Sequence, residues 1–267
     1  MATETRPFAV VTGASSGIGL ELAKQCREHG FDLLIVAEDA GIEDAAHALT
    51  TNDAVVEAHQ LDLAMYDGVE ALNRAIHATG RPVEVLILNA GVGVGGEFAR
   101  DTALQAELKM IALNVSSVVH LAKRVIPGMV ERGRGRVLIT ACITSTSPAP
   151  FLAVYGATKA FDLSFAEALR DELKGTGVTV TALQPGPTDT NFFVRAGMLD
   201  TKVAQDKKDD PAEVARVGFE AMMAGKDSVI ASSLKSKMKG LANEILPETV
   251  KAAAQRRETK PGSGVKH

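Results

Sequence analysis

Short apolar runs alternate with longer stretches of helical spacing from one end of the chain to the other. The runs are FAVVT (8–12), DLLIVA (32–37), AVVEAH (54–59), EVLILN (84–89), RVLITA (136–141), VTVTAL (178–183) and DSVIAS (227–232). Each lies near Gly, Asp or Asn, and a mostly apolar run of this length is how a strand covered on both faces reads. Between the runs, apolar residues take helical spacing, as in Leu20, Leu22, Ala23 and Cys26, and again in Leu113, Val118, Leu121 and Val125. Long helices with broad apolar faces are expected over 102–130 and 152–174. The alternation predicts one doubly wound α/β domain over residues 1–267, with a seven-stranded parallel sheet flanked by helices.

Two segments break this rhythm. Residues 186–210 follow a strand and read as a mobile substrate loop. From about residue 232 to the end the chain reads as a helical extension and tail. Its last stretch, KAAAQRRETKPGSGVKH, looks like a solvated, frayed terminus.

Composition narrows the picture. The 267 residues are 46% hydrophobic and 23% charged, with a formal net charge of −4, so neither a nucleic-acid nor a membrane partner is expected. No run of about 18 apolar residues is present, and no leader-like segment opens the chain. Cys26 and Cys142 are the two cysteines, far apart and outside any CxxC or Cys/His pattern. A metal site and a disulfide framework are therefore not expected, and a cytoplasmic protein is.

Candidate chemistry begins with VVTGASSGIGLELAKQ. Gly13, Gly17 and Gly19, with Ser15, Ser16 and Ile18 between them, join the first strand to the first helix. Glycines allow a sharp turn and close backbone approach, and a helix N-terminus favours an anion such as a pyrophosphate. This is the context of a dinucleotide-binding turn. After the second strand stand Glu38 and Asp39. Carboxylates there bind ribose hydroxyls and repel a 2′-phosphate, so NAD(H) is favoured and NADP(H) is left open. The competing reading is that one of these acids caps a helix beginning near Ile42.

Tyr155 and Lys159 are four apart, which on a helix places them on one face. A phenol and an ammonium so placed can move a proton. The ammonium should pull the phenol down from its ordinary pKa of about 10.

With these pieces in hand, the chain resembles the short-chain dehydrogenase/reductase family over roughly residues 8–190. The motifs that carry the likeness are TGASSGIG (12–19), LDL (61–63), NAG (89–91), an Asn at 114, YGATK (155–159) and PGPTDT (185–190), in that order. The resemblance implies a Rossmann-like fold and hydride transfer between a nicotinamide cofactor and a small-molecule alcohol or ketone. It implies Tyr155 as general acid and base, Lys159 on the nicotinamide ribose, and Asn114 in a proton relay. Asp62 and Leu63 would meet the adenine. Asn89, Ala90 and Gly91 would line the adenosine side, and Pro185, Gly186, Thr188 and Thr190 the nicotinamide carboxamide. It also implies a homodimer or homotetramer built through the long helices.

One position departs from the pattern. The family's catalytic serine lies thirteen residues before the tyrosine, where this chain has Cys142. A thiol is the weaker donor. Four readings stand: Cys142 fills the serine's role, slowly; a nearby hydroxyl (Thr140, Thr144 or Ser145) substitutes; the protein binds a dinucleotide without turnover; or Cys142 is itself reactive. The substrate wall is expected from Val92, Gly93, Val94, Ile143, Thr144, Phe151, Phe192, Phe193 and Met198, which favours an apolar substrate. Arg195 is the one candidate for an anionic group.

Overall fold

Seven strands form where the apolar runs lie: β1 (Phe8–Thr12), β2 (Asp32–Ala37), β3 (Val56–Gln60), β4 (Val83–Leu88), β5 (Gly135–Thr140), β6 (Val178–Pro185) and β7 (Ser228–Ala231). They pair in parallel in the order β3-β2-β1-β4-β5-β6-β7. The computed structural model describes residues 6–51, 54–232 and 247–264. β1 and β2 are buried along their whole length, whereas edge strand β3 keeps partly exposed polar residues such as Glu57 and His59. A buried edge would leave its unpaired backbone groups without water.

Side chains alternate between the two faces of the sheet, as strand geometry requires. Phe8, Val10, Leu34 and Leu86 face a layer made by α3 (Tyr66–Ala78), α5 (Ser117–Glu131) and α6 (Ala153–Glu172). Ala9, Val11, Leu33 and Ile35 face α1 (Gly17–Glu28), α2 (Gly41–Leu49) and α9 (Pro211–Met223). Strand order runs outward from β1 to β3 and then returns to β4 on the other side of β1. That reversal leaves a crevice beyond the carboxyl ends of β1 and β4.

Three expectations need correction. The helix foreseen over 102–130 is divided: α4 (Leu104–Ile111) and α5 flank a π-helical turn at Ala112–Ser116. The turn presents Asn114 inward, where both ends of its amide find partners. Residues 186–210 are more than a plain loop. They hold two single-turn helices, α7 (Phe192–Arg195) and α8 (Lys202–Gln205), and Phe193, Ala196, Met198 and Ala204 form a small core with Ala149 and Leu152. The tail is not frayed where it is described. Residues 233–246 and 265–267 of the expected extension lie outside the described residues, but α10 (Glu248–Thr259) packs back on the domain.

Polar contacts dock that helix. Thr259 Oγ1 donates to the Pro150 carbonyl at 2.7 Å, Lys251 Nζ to the Thr146 carbonyl at 3.3 Å, and Gly264 N–H to the Asp200 carbonyl at 2.9 Å. Thr259 is 1% exposed. Replacing Thr259 with Val keeps the shape and leaves the Pro150 carbonyl without this donor, a loss of about 1–2 kcal/mol. The expected result is a melting temperature lower by about 2–8 °C, and an unchanged melting curve would show that α10 does not depend on this bond.

Candidate active site

The crevice holds nearly every residue the sequence singled out. Gly13, Ser15, Ser16, Gly17, Ile18, Gly19, Glu38, Asp39, Asp62, Leu63, Asn89, Ala90, Gly91, Cys142, Tyr155, Lys159, Pro185, Gly186, Thr188 and Thr190 line one cleft with a cavity volume of about 260 Å³. Asn114 stands apart, wholly buried behind it.

The glycine turn is shaped by close contact. Gly13 and Gly17 have φ of 68° and 58°, in the left-handed region that favours glycine. A Cβ at Gly19 would stand 2.0 Å from the Gly13 carbonyl oxygen, so α1 starts tight against the turn. Ser16 precedes α1 without capping it through its side chain, and no acidic residue sits in the first turn. The first N–H groups of a 12-residue helix therefore open into the cleft. Open N–H groups beside a turn that only glycines allow fit a dinucleotide's pyrophosphate.

Neighbouring contacts hold this turn in place. The Thr12 hydroxyl accepts the N–H groups of Asn89 and Ala90, both at 3.0 Å. The Asn89 amide donates to the carbonyls of Thr12 and Gly13 at 3.2 and 3.3 Å and accepts from Thr140 Oγ1 at 3.2 Å.

The acids after β2 are paired with cations from distant parts of the chain. Lys109 on α4 sits 3.2 Å from Glu38 and 3.1 Å from Asp62. Arg195 on α7 sits 3.3 Å from Asp39, which also accepts from Ser15 Oγ at 2.9 Å. Hydrogen bonds to Asp62 and then Glu38 raise the Lys109 pKa. The sequence reading found no cation at this end because none is local. Arg195 faces Asp39 at the glycine-turn end of the cleft rather than the apolar wall, and neither Glu38 nor Asp39 caps α2, whose first turn has no side-chain cap.

At the other end, Lys159 Nζ donates to the Thr140 carbonyl at 2.8 Å and to Asp162 Oδ2 at 2.9 Å. Asn114 accepts from Val92 N–H at 3.0 Å and donates to the Val92 carbonyl and Thr158 Oγ1 at 2.9 and 3.0 Å. Tyr155 is half-buried beside Phe192, ring centroids 5.1 Å apart. Its phenol pKa lies well above the ordinary value. Burial is the chief cause, and a charge and hydrogen-bond interaction with Cys142 and the Asp162 carboxylate add to it. Burial thus outweighs any lowering by the Lys159 ammonium in this structure, and Asp162 adds to the rise.

The hydroxyls around Cys142 are not equivalent. Ser145 is buried, accepts the Cys142 N–H at 3.1 Å and donates to the Lys159 carbonyl at 2.8 Å. Thr140 donates to Asn89. Thr144 lines the cleft and donates to Cys142 Sγ at 3.2 Å. Of the three, Thr144 is the hydroxyl placed to turn toward a ligand. Cys26, the other thiol, is fully buried and its pKa is pushed up by that burial.

The apolar wall comprises Val92, Ile143, Leu152, Phe192, Phe193 and Val203. Gly93, Val94, Phe151 and Met198 do not line it. A Cβ at Gly93 would strike the Phe192 ring at 2.5 Å, so this loop backs the wall. Phe151 carries the Arg256 guanidinium 5.0 Å above its ring. Gln255, Glu258 and Thr259 of α10 complete the chamber. The sequence reading missed them because the tail's packing is long-range.

A parallel doubly wound sheet, a glycine turn opening on its crevice, and a tyrosine and lysine at the crevice wall define an oxidoreductase of the dinucleotide-binding kind. Comparison with known proteins agrees: the family model described as short chain dehydrogenase matches residues 7–200. A mouse protein, dehydrogenase/reductase SDR family member 7B, is 30% identical over 271 residues, covering 95% of this chain and 83% of its own. A short-chain dehydrogenase from Sphingobium yanoikuyae, solved with NADPH, superposes with a TM-score of 0.78 at 29% identity, covering 90% of this chain and 96% of that one. The bulky-bulky ketone specific alcohol dehydrogenase of Comamonas testosteroni gives 0.74 at 25% identity, covering 90% and 95%. The chain belongs to the short-chain dehydrogenase/reductase family.

Among the described residues, no helix is long and apolar enough to cross a membrane and no cluster of metal-ligating side chains occurs. The glycine turn yields a direct test. Gly19→Ala places a methyl against backbone that cannot yield, an overpacking cost of about 1–3 kcal/mol. Expected are a lower melting temperature and at least tenfold weaker binding of NADH measured by nucleotide fluorescence.

Proposed function

We propose that this protein is an NAD(H)-dependent alcohol dehydrogenase or carbonyl reductase acting on an apolar substrate. The observation that carries the reading is the convergence of Tyr155, Lys159 and Cys142 on an apolar wall, at the end of a cleft whose other end fits a pyrophosphate. A bound dinucleotide would supply or accept the hydride. The chain's own residues do the rest. Tyr155 gives a proton to the carbonyl oxygen in reduction and takes it back in oxidation. The high pKa of its phenol suits the acid role, which reduction requires, near neutral pH. Lys159 has three donors, two of them engaged by Thr140 and Asp162, which leaves one to reach a ribose hydroxyl. Asn114 holds the Val92 backbone by both amide ends and ties it to α6 through Thr158.

Cys142 is proposed to hold the substrate oxygen as a weak donor, with Thr144 beside it as the stronger one. Cys142→Ser should raise kcat for ketone reduction while leaving NADH affinity nearly unchanged. Thr144→Val should lower kcat, by less than the roughly 10²–10³-fold that loss of a full oxyanion donor costs. An unchanged or lower kcat in Cys142→Ser would remove the thiol from the role.

Glu38 and Asp39 support the NAD(H) preference, and Lys109 and Arg195 temper it by partly neutralising them. NADH should bind roughly tenfold more tightly than NADPH, about 1.4 kcal/mol, and Arg195→Ala should widen that gap in titrations of both nucleotides. Exposed Leu104, Leu108, Ile111 and Phe161 on α4 and α6 support the expected homo-oligomer.

Cys142 also favours a second reading, a dinucleotide-binding protein with little turnover. Mixing the protein with NADH and a panel of apolar ketones and following nucleotide absorbance separates the two. Turnover supports the reductase, and tight NADH binding without turnover on any ketone supports the alternative.

A further inference from the structure

Asp162 lies three residues beyond Lys159 on α6, inside the apolar run KAFDLSF, and is 1% exposed. Leu163 and Ala166 nearby belong to the core. One carboxylate oxygen accepts from Lys159 Nζ at 2.9 Å, and the other is buried without a hydrogen-bond partner. Packing does not account for this choice, because stripping water from a charge pair often costs more than its attraction returns. An apolar side chain would fill the site as well.

The second contact of Lys159 comes from another element. Thr140, at the end of β5, accepts from the same ammonium through its carbonyl at 2.8 Å. The two bonds pin Nζ between α6 and β5. The titratable groups around it are Tyr155 and Asp162 on its own helix and Cys142 just after β5. From the segment after β4 it meets Gly91, where a Cβ would stand 3.4 Å from Nζ, and Asn114 of the π turn lies against the same glycine; both are neutral.

We propose that Asp162 is a positioning residue that anchors the Lys159 ammonium against β5 and offsets its charge at Tyr155. The proposal rests on the reading of Tyr155 as acid and base. Beside a lone ammonium the phenol would ionise more readily, and a carboxylate in contact with that ammonium works the other way. The Tyr155 pKa is raised chiefly by burial, and the smaller part from Asp162 agrees in sign. Burial also raises the Asp162 pKa, against the lowering by Lys159, so the charge of this carboxyl is itself part of the test. The consequence is directional. Alcohol oxidation, which needs the phenolate, is displaced to alkaline pH, and carbonyl reduction, which needs the phenol, is preserved through neutral pH.

Tyr155 can be read without cofactor or substrate. The chain has two tyrosines and no tryptophan, so in a Tyr66→Phe background the ultraviolet absorbance of phenolate reports Tyr155. The titration is run on this background and on its Asp162→Asn, Asp162→Leu and Asp162→Glu variants. In the two neutral variants the midpoint should fall by about one to three pH units, and Asp162→Glu should return it toward the parent. Equal midpoints in the parent and the neutral variants would overturn the proposal, as would a rise. A second arm needs no substitution: the ¹³C shift of the Asp162 carboxyl in the intact protein should report an ionised group at neutral pH, and a protonated one overturns the proposal. Because neither arm involves turnover, a protein that reduces no ketone can still pass both, and an active reductase can fail them.

Discussion

Everything in the cleft depends on the hydrogen bonds that tie the carboxyl ends of β1, β4 and β5 together. The Thr12 hydroxyl takes two backbone N–H groups from the segment after β4, and the Asn89 amide spans β1 to β5. Parallel strands diverge at their ends unless something holds them. Here the holding groups are short polar side chains whose every bond goes to a neighbouring strand end. With the ends fixed, the glycine turn has a floor in Ala90 against which Gly13 closes, and Thr140 can present its carbonyl to Lys159. Cofactor end and chemical end are thus parts of one rigid rim.

The fold was legible in the sequence because the central strands are short apolar runs buried on both faces, and periodicity reports burial directly. The glycine turn, Tyr155, Lys159 and Cys142 were legible for a similar reason: their spacing is local. What escaped depends on residues brought together from far along the chain. Lys109 meets Glu38 across 71 positions and Arg195 meets Asp39 across 156. The π turn around Asn114 has no signature that helical periodicity would show. Asp162 could have been found, because an acid on an apolar helical stripe one turn from a lysine asks for a partner.

Electrostatics in this site work by compensation rather than accumulation. Lys159 is matched by Asp162, Glu38 and Asp62 by Lys109, and Asp39 by Arg195. The pairs differ in depth. The Lys159 pair is buried and keeps its strength, whereas the outer pairs are partly exposed and weaken as salt rises. The protein therefore holds a fixed electrostatic setting beside Tyr155 and a softer one beside the glycine turn.

The docked tail helix closes a cleft whose other residues come from earlier in the chain. The family match ends at residue 200, while Gln255, Glu258 and Thr259 still form part of the chamber wall. Tyr155 and Lys159 and the far wall thus sit in different parts of the chain, brought together by contacts from α10 to Thr146, Pro150 and the α8 region. One wall of the cleft is therefore separate in sequence from Tyr155 and Lys159, and it depends on how α10 docks.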